Sequence, residues 1–330
     1  MKNAKLRPMQ TYDLIIVGAG PIGMACAIEA QKKELNYLVL EKGTLVNSLY
    51  HYPLYMTFFS TAERLEIGGI PFVNVSPKPG RQEALEYYRR VYQEKKLNIH
   101  FNEKVGTIES EASIKKVTTS KNEYFAENVV IATGFYDLPN PLGIPGENLP
   151  KVSHYFKEAH PYVGQKLVVI GASNSSVDAA LECWRKGAEV TMVVRKSEIG
   201  ERVKYWVKPD IENRIAEGSI RAYFNSELKE IKENSVVIST SNEAIEIEND
   251  FVLALTGYRP DLEFLKKCGI SLSNDGLFLP QYDEETMETN VAGIYLAGVV
   301  CGGMETHKWF IENSRIHAEM IVAAILQKKQ

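Results

Sequence analysis

Three glycines, Gly18, Gly20 and Gly23, stand at G-x-G-x-x-G spacing directly after the apolar, β-branched run Asp13 to Val17. Each has a separate task there: Gly18 permits a tight turn, Gly20 admits a pyrophosphate against bare backbone, and Gly23 lets the next helix lie close to the strand. A helix expected from Pro21 to about Lys33 turns its unpaired N–H groups and positive dipole end toward those phosphates, with Ala19 and Ile22 on the same loop. A second strand, Tyr37 to Leu40, ends in Glu41, 23 residues after Gly18. A carboxylate there accepts hydrogen bonds from both hydroxyls of a ribose, and Lys42 follows it. The chemistry is dinucleotide binding, and strand, helix, strand and acid together make the signal specific where a lone glycine motif is weak.

The same plan recurs in Lys166 to Lys196. Gly171 opens the loop, Ala172, Ser173, Asn174 and Ser175 continue it, and Ser176 occupies the place of the third glycine. Val177, Ala180, Leu181 and Trp184 then fall at i, i+3, i+4 and i+7, the pattern of a buried helix face. The second strand of this unit ends in Arg195, 24 residues after Gly171. Glu41 would repel a 2′-phosphate, whereas Arg195 with Lys196 and Arg202 can form charge-assisted hydrogen bonds to one. NADP(H) is therefore expected at the second unit and a 2′-hydroxyl nucleotide at the first. Each half also carries a strand ending in Thr-Gly and an aromatic residue. Asn128 to Gly134 brings Ala132, Thr133 and Gly134 to the first site, and Phe251 to Arg259 brings Thr256 and Gly257 to the second, an internal repeat at domain scale.

Other elements frame these units. Asn47 to Ser60 is rich in aromatic residues and interrupted by Pro53. It reads either as a wall against a flat heterocycle, with Asn47, Ser48, Tyr50, Tyr52, Tyr55, Thr57, Phe58, Phe59 and Ser60 contributing, or as core or a dimer interface. A loop over Gly69 to Gly80, a helix over Gln82 to Lys95, and short antiparallel strands at Asn98 to Phe101, Lys115 to Thr119 and Tyr124 to Phe125 follow. Four prolines between Asp137 and Pro150 mark a hinge. In the second half, a helix beyond Pro209 and antiparallel strands at Val236 to Ile238 and Ile245 to Glu248 are expected. Gly293 to Gly298 reads as a buried strand, and Ile311 to Gln327 as one final helix that returns to the first domain.

Composition limits the alternatives. The chain has 330 residues, 45% hydrophobic and 24% charged, with a net charge of -4. That is a soluble two-domain composition without the basic field that nucleic acid or a membrane surface requires. The opening MKNAKLRPMQ precedes no apolar segment of signal-peptide kind and no run approaches membrane-spanning length, so a cytoplasmic protein is expected. Cys26, Cys183, Cys268 and Cys301 form no CxxC pair, and the six histidines show no metal spacing. Cys301, in a turn, reads as a buried thiol, and each histidine as a hydrogen-bonded structural residue. No metal site is expected.

One chain holding NADPH and a second adenine dinucleotide is most simply a flavoprotein with FAD in the first site, because nicotinamide gives hydride to flavin directly. At this point the chain resembles thioredoxin reductase-like flavoproteins with two dinucleotide domains. More closely, MTFFSTAERLEIG, ALEYYRRV, HPYVGQKLVVIG, KYWVKPDIENRI, YFNS and LAGVVCGGMETHKWFIENSRIHAEM are similar to the YpdA-type proteins, described as bacillithiol disulfide reductases. The resemblance implies an α/β fold of two Rossmann-like, three-layer ββα domains. The first is an FAD-binding domain over residues 1–157 and 283–330, and the second an inserted NADPH-binding domain over 158–282. Val105, Gly298 and Lys308 complete the candidate flavin contacts. It also implies NADPH oxidation through FAD to a low-molecular-weight disulfide or a small redox protein, in a homodimer.

Three departures from these patterns stand out. No cysteine lies between Val152 and Gln165, where thioredoxin reductases carry their CxxC. The YpdA type resembles GGGPCG in its first loop, and here Ile22 stands at the cysteine position. Cys26, one helical turn on, points differently, so no catalytic residue is assigned. Gly298 is followed by Val299 where related flavoproteins have Asp. A ferredoxin or flavodoxin reductase, and a non-catalytic sensor binding FAD and NADP(H), are the competing readings.

Overall fold

The computed structural model describes residues 11–111 and 113–329; the basic opening Met1 to Gln10, read as lacking a signal segment, lies outside the described residues. The chain divides into two compact units. One comprises residues up to His51, Thr57–Leu138 and Tyr258 onward; the other comprises Tyr52–Met56 and Pro139–Gly257.

The first unit is built on a seven-stranded sheet. Strands Ile99–His100, Tyr37–Leu40, Thr11–Val17 and Glu123–Ile131 run parallel in that order. The last of these is long enough for two neighbours on its other edge. Its beginning pairs antiparallel with Ile114–Thr119, which continues to Val105–Glu111, and its end pairs in parallel with Ile294–Leu296. Leu14, Ile15, Ile16, Leu38 and Val39 are fully buried, as expected of β-branched and aliphatic runs covered on both faces. Each such side chain contributes roughly 1.5–3 kcal/mol by leaving water. Helices Pro21–Lys32 and His317–Lys328 pack on one another beside this sheet.

The second unit has five parallel strands in the order Arg221–Tyr223, Glu189–Val193, Lys166–Ile170, Phe251–Ala254 and Val152–Ser153. Alternation along these strands makes three layers. Leu167, Val169, Val190 and Met192 face Val177, Ala180, Leu181 and Ile211 on the helices Asn174–Arg185 and Lys208–Ala216. Val168, Ile170, Val193 and Val252 face Leu228, Ile231, Val236 and Ile238 on an antiparallel sheet of Glu227–Ile231, Ser235–Ser239 and Ala244–Glu248. This is a ββα sandwich of the expected class.

Several expectations need correction. Ile99–His100 is parallel, because its neighbour is the nucleotide strand Tyr37–Leu40 and not a hairpin partner. The final helix is two pieces, Ile311–Ser314 and His317–Lys328. The aromatic segment begins as the short helix Asn47–His51; in the single chain Tyr50, Tyr55 and Phe59 are exposed and Phe58 is buried. The compact units part at 138/139 and 257/258, ahead of the limits 157/158 and 282/283 expected for the two domains. Val152–Ser153 hydrogen-bonds to the second sheet through Phe251–Ala254, and the helix Leu262–Lys267 packs on Val105–Glu111 of the first.

The closest helix-on-strand approach in the first unit is at Gly23, where a Cβ would stand 1.9 Å from the carbonyl oxygen of Gly18. Gly23→Ala therefore has to push the helix off the strand, at a cost of ~1–3 kcal/mol by analogy with other overpacked sites. Thermal unfolding of the variant is expected several degrees lower, with flavin lost during purification; an unchanged midpoint and full flavin content would refute this packing argument.

Candidate functional site

The two phosphate loops are the same construction. In the first, Gly18 has φ +106°, and a Cβ on it would lie 2.6 Å from the carbonyl oxygen of Ala132. In the second, Gly171 has φ +119°, and a Cβ would lie 2.7 Å from the carbonyl oxygen of Leu255. The matching hydrogen bonds correspond as well. Gly18 N–H donates to Leu40 and Ala132 N–H to Val17, at 2.8 and 2.9 Å; Gly171 N–H donates to Val193 and Leu255 N–H to Ile170, both at 3.1 Å. A later loop also returns to each phosphate loop: Val46 N–H donates to Ala19, and Gly200 N–H donates to Ala172.

Gly20 is the residue preceding the helix Pro21–Lys32, has no side chain to cap it, and has nothing within 4 Å of where a Cβ would stand. Helix N–H groups thus face open space at the position a pyrophosphate takes. Glu41 is buried at 4% exposure. Its Oε2 accepts from Ala19 N–H at 2.7 Å and its Oε1 from Gly43 N–H at 2.8 Å. Burial raises its pKa, opposed by those two N–H bonds and by Lys42. Lys42 itself is paired with Asp137 at 2.6 Å. The Ala19 N–H is consumed by Glu41, so Ala19 offers a phosphate no donor.

Of the other candidates, Ala132 lies against Gly18, and Gly298 against Ile22, whose Cγ1 would be 3.3 Å from a Cβ on Gly298. Val105 follows Glu103, whose N–H donates to the Glu41 carbonyl at 2.8 Å. Asn47 is partly exposed, and its Oδ1 accepts from Thr44 N–H. Gly134 has φ +71°. Thr57 bridges Gly80, and Phe58 N–H donates to Pro79. Lys308 is exposed, with its ammonium 5.5 Å from the Trp309 ring centre. The glycine loop, buried acid and small strand end together suit an adenine dinucleotide.

In the second unit Ser176 is fully buried; its hydroxyl accepts from Ser173 N–H and donates to the Ser173 carbonyl. The serine therefore repays its place by closing the first helical turn. Arg195, Lys196 and Arg202 are exposed. Thr256 does not offer a free hydroxyl, since its Oγ1 donates to the Asn140 carbonyl at 2.6 Å while Asn140 N–H donates to Gly257. Sequence reasoning missed Asn140, and it missed Arg81, which is buried and donates to the Tyr50 carbonyl. Neither lies in a motif; only the folded distance reveals them.

The thiols are not poised for chemistry. All four cysteines are buried and unpaired, and burial pushes Cys26, Cys183 and Cys268 up to about 12 and Cys301 upward too. A thiol held protonated is a poor nucleophile. No group of metal-binding side chains occurs among the described residues, and no helix among them is long and apolar enough to cross a membrane.

A family profile described as pyridine nucleotide-disulphide oxidoreductase matches residues 15–298. Bacilliredoxin reductase Bdr of Bacillus subtilis is 45% identical over 317 residues, covering 96% of this chain and 98% of that protein. The solved bacillithiol disulfide reductase Bdr (YpdA) from Bacillus cereus superposes with a TM-score of 0.95 at 43% identity, covering 97% of this chain and all of that one. A thioredoxin reductase of T. acidophilum, 19% identical with a TM-score of 0.74 over 97% of this chain and 99% of that one, shares the fold.

His317 is the remaining titratable group of note. It is 1% exposed, and its Nδ1 accepts from Gly298 N–H at 3.2 Å. Burial lowers its pKa from 6.5 to about 4, so it is neutral in the folded protein. Between those two values the unfolded chain binds a proton that the folded one does not, and stability falls as pH drops through that window. His317→Gln is expected to be less stable at pH 7 yet to lose less on going to pH 5. Equal losses of melting temperature in both proteins would place the acid lability elsewhere.

Proposed function

The chain belongs to the pyridine nucleotide-disulphide oxidoreductase family, in its bacillithiol disulfide reductase (YpdA) type, and on that premise we propose that it oxidises NADPH and passes the electron pair to a small disulfide of the bacillithiol kind. A small redox protein that carries its own disulfide is the variant acceptor. The reaction balances as NADPH, one proton and a disulfide giving NADP⁺ and two thiols. FAD, when bound, supplies the two-electron carrier between hydride donor and disulfide. The working form in this reading is a cytoplasmic homodimer.

The observation that carries the assignment is the reversal of charge between two otherwise matching βαβ units. Glu41 offers remaining lone pairs to ribose hydroxyls and excludes a 2′-phosphate, which suits FAD in the first unit. Arg195 and Lys196 offer a 2′-phosphate planar and point-charge partners, which suits NADPH in the second. The Gly18 to Gly23 loop, with Ala132 to Gly134 and Gly298 nearby in the fold, would hold the flavin nucleotide; Gly171 to Ser175 would hold the second pyrophosphate. The chain's own residues supply binding and orientation. They supply no thiolate, because Ile22 stands at the family's cysteine position and Cys26 is buried and protonated.

Anaerobic mixing of the yellow protein with NADPH is expected to bleach the flavin band much faster than mixing with NADH, and bacillithiol disulfide is expected to restore it. Arg195→Ala should raise the KM for NADPH roughly ten- to hundredfold, the worth of a lost hydrogen bond to a charged group, with little change for NADH. Absence of bleaching by either nucleotide would refute the oxidoreductase reading, and equal effects on both would refute the 2′-phosphate assignment.

A further inference from the structure

The segment between the strand Glu189–Val193 and the helix Lys208–Ala216 carries the cations that the second site relies on, and it is an irregular, largely exposed loop. Arg195, Lys196 and Arg202 enter no ion pair among the described residues, while Glu198 and Glu201 lie exposed on the same loop. A loop of that kind, left to itself, would sample many arrangements.

It is not left to itself. The side-chain amide of Asn174, first residue of the helix Asn174–Arg185, bonds it at two points: Nδ2 donates to the Arg202 carbonyl at 3.0 Å, and Oδ1 accepts from Lys204 N–H at 2.8 Å. One turn along the helix, Asp178 accepts from the ammonium of Lys204 at 2.7 Å, with Lys204 only 9% exposed. Gly200 N–H donates to Ala172 at 2.9 Å, and a Cβ on Gly200 would lie 2.8 Å from that oxygen. Val203, between the two amide contacts, is 5% exposed. Both hydrogen-bonding ends of the Asn174 side chain are thereby taken up by the loop.

We propose that Asn174, supported by the Asp178–Lys204 pair, is a positioning residue for nucleotide specificity, holding Arg202 and its loop where a 2′-phosphate is read. This inference rests on the NADPH assignment above. An amide is needed because one bond requires a donor and the other an acceptor; aspartate supplies only the second. Release of the loop makes binding of the 2′-phosphate bear the ordering of its backbone, which corresponds to about a tenfold loss of affinity for one residue ordered. A nucleotide without that phosphate bears no such cost.

The test is calorimetric titration of the flavin-loaded protein with 2′,5′-ADP and, separately, with ADP. Wild type is expected to favour 2′,5′-ADP. Asn174→Ala should lose about tenfold for 2′,5′-ADP and little for ADP, because its backbone N–H in the phosphate loop is kept, with KM rising for NADPH and not for NADH. Equal weakening of both ligands, or of neither, would overturn the positioning role. Should Asn174→Ala fail to fold, Lys204→Met leaves the amide contacts in place, and a selective, smaller loss is expected from it; an unselective loss would count against the proposal. A wild type that does not distinguish the two ligands would instead remove the NADPH reading, and the inference with it.

Discussion

The closest constraint in this protein is a contact between backbone and backbone: the loop after each first strand presses a glycine against the carbonyl at the end of a neighbouring strand. At Gly18 against Ala132 and at Gly171 against Leu255 there is no room for a Cβ, and φ is positive in both. That approach aligns three strand ends at one edge and starts the helix where its free N–H groups face outward. Side chains farther along the chain are then placed by what the edge leaves available. Glu41 and Arg195 arrive at the same relative place because Tyr37–Leu40 and Glu189–Val193 each pair with the glycine-bearing strand in parallel register.

From that shared edge the two sites diverge through polar bookkeeping. Glu41 is buried, and part of its hydrogen-bonding capacity goes to Ala19 and Gly43, so the acid stiffens its own loop. No buried acid replaces it in the second unit. There the stiffening comes from Ser176, Asn174 and Asp178 on the helix, while the cations stay exposed. The difference follows from solvation: a carboxylate can be buried when backbone N–H groups surround it, whereas cations meant for a phosphate must remain free of competing partners.

Much of this was readable from residue order alone. The βαβ units, the strands ending in Ala132 to Gly134 and Leu255 to Gly257, and the ββα layering rest on local period and on glycine, which act over a few residues. What the sequence concealed was long-range. Asn140 bonds Thr256 and Gly257 across more than a hundred positions, Arg81 reaches Tyr50, and His317 reaches Gly298. The compact units part where they do for the same reason, since Val152–Ser153 is claimed by a strand that follows it by about a hundred residues. The aromatic segment keeps its lining and interface readings: Tyr55 and Phe59 stand exposed in the single chain, open to a heterocycle or a second copy.

The same distinction governs the thiols. Cysteine count invites a dithiol mechanism in a family with disulphide in its description, yet a nucleophilic thiol needs a lowered pKa, and each cysteine here sits where burial raises it. Ile22 is buried with its side chain against Gly298 and fills apolar space in the first loop. An isoleucine there gives a disulfide no group to exchange with. With all four thiols held protonated by burial, the residues that separate the two βαβ units, Glu41 and Arg195, are what the proposed reading rests on.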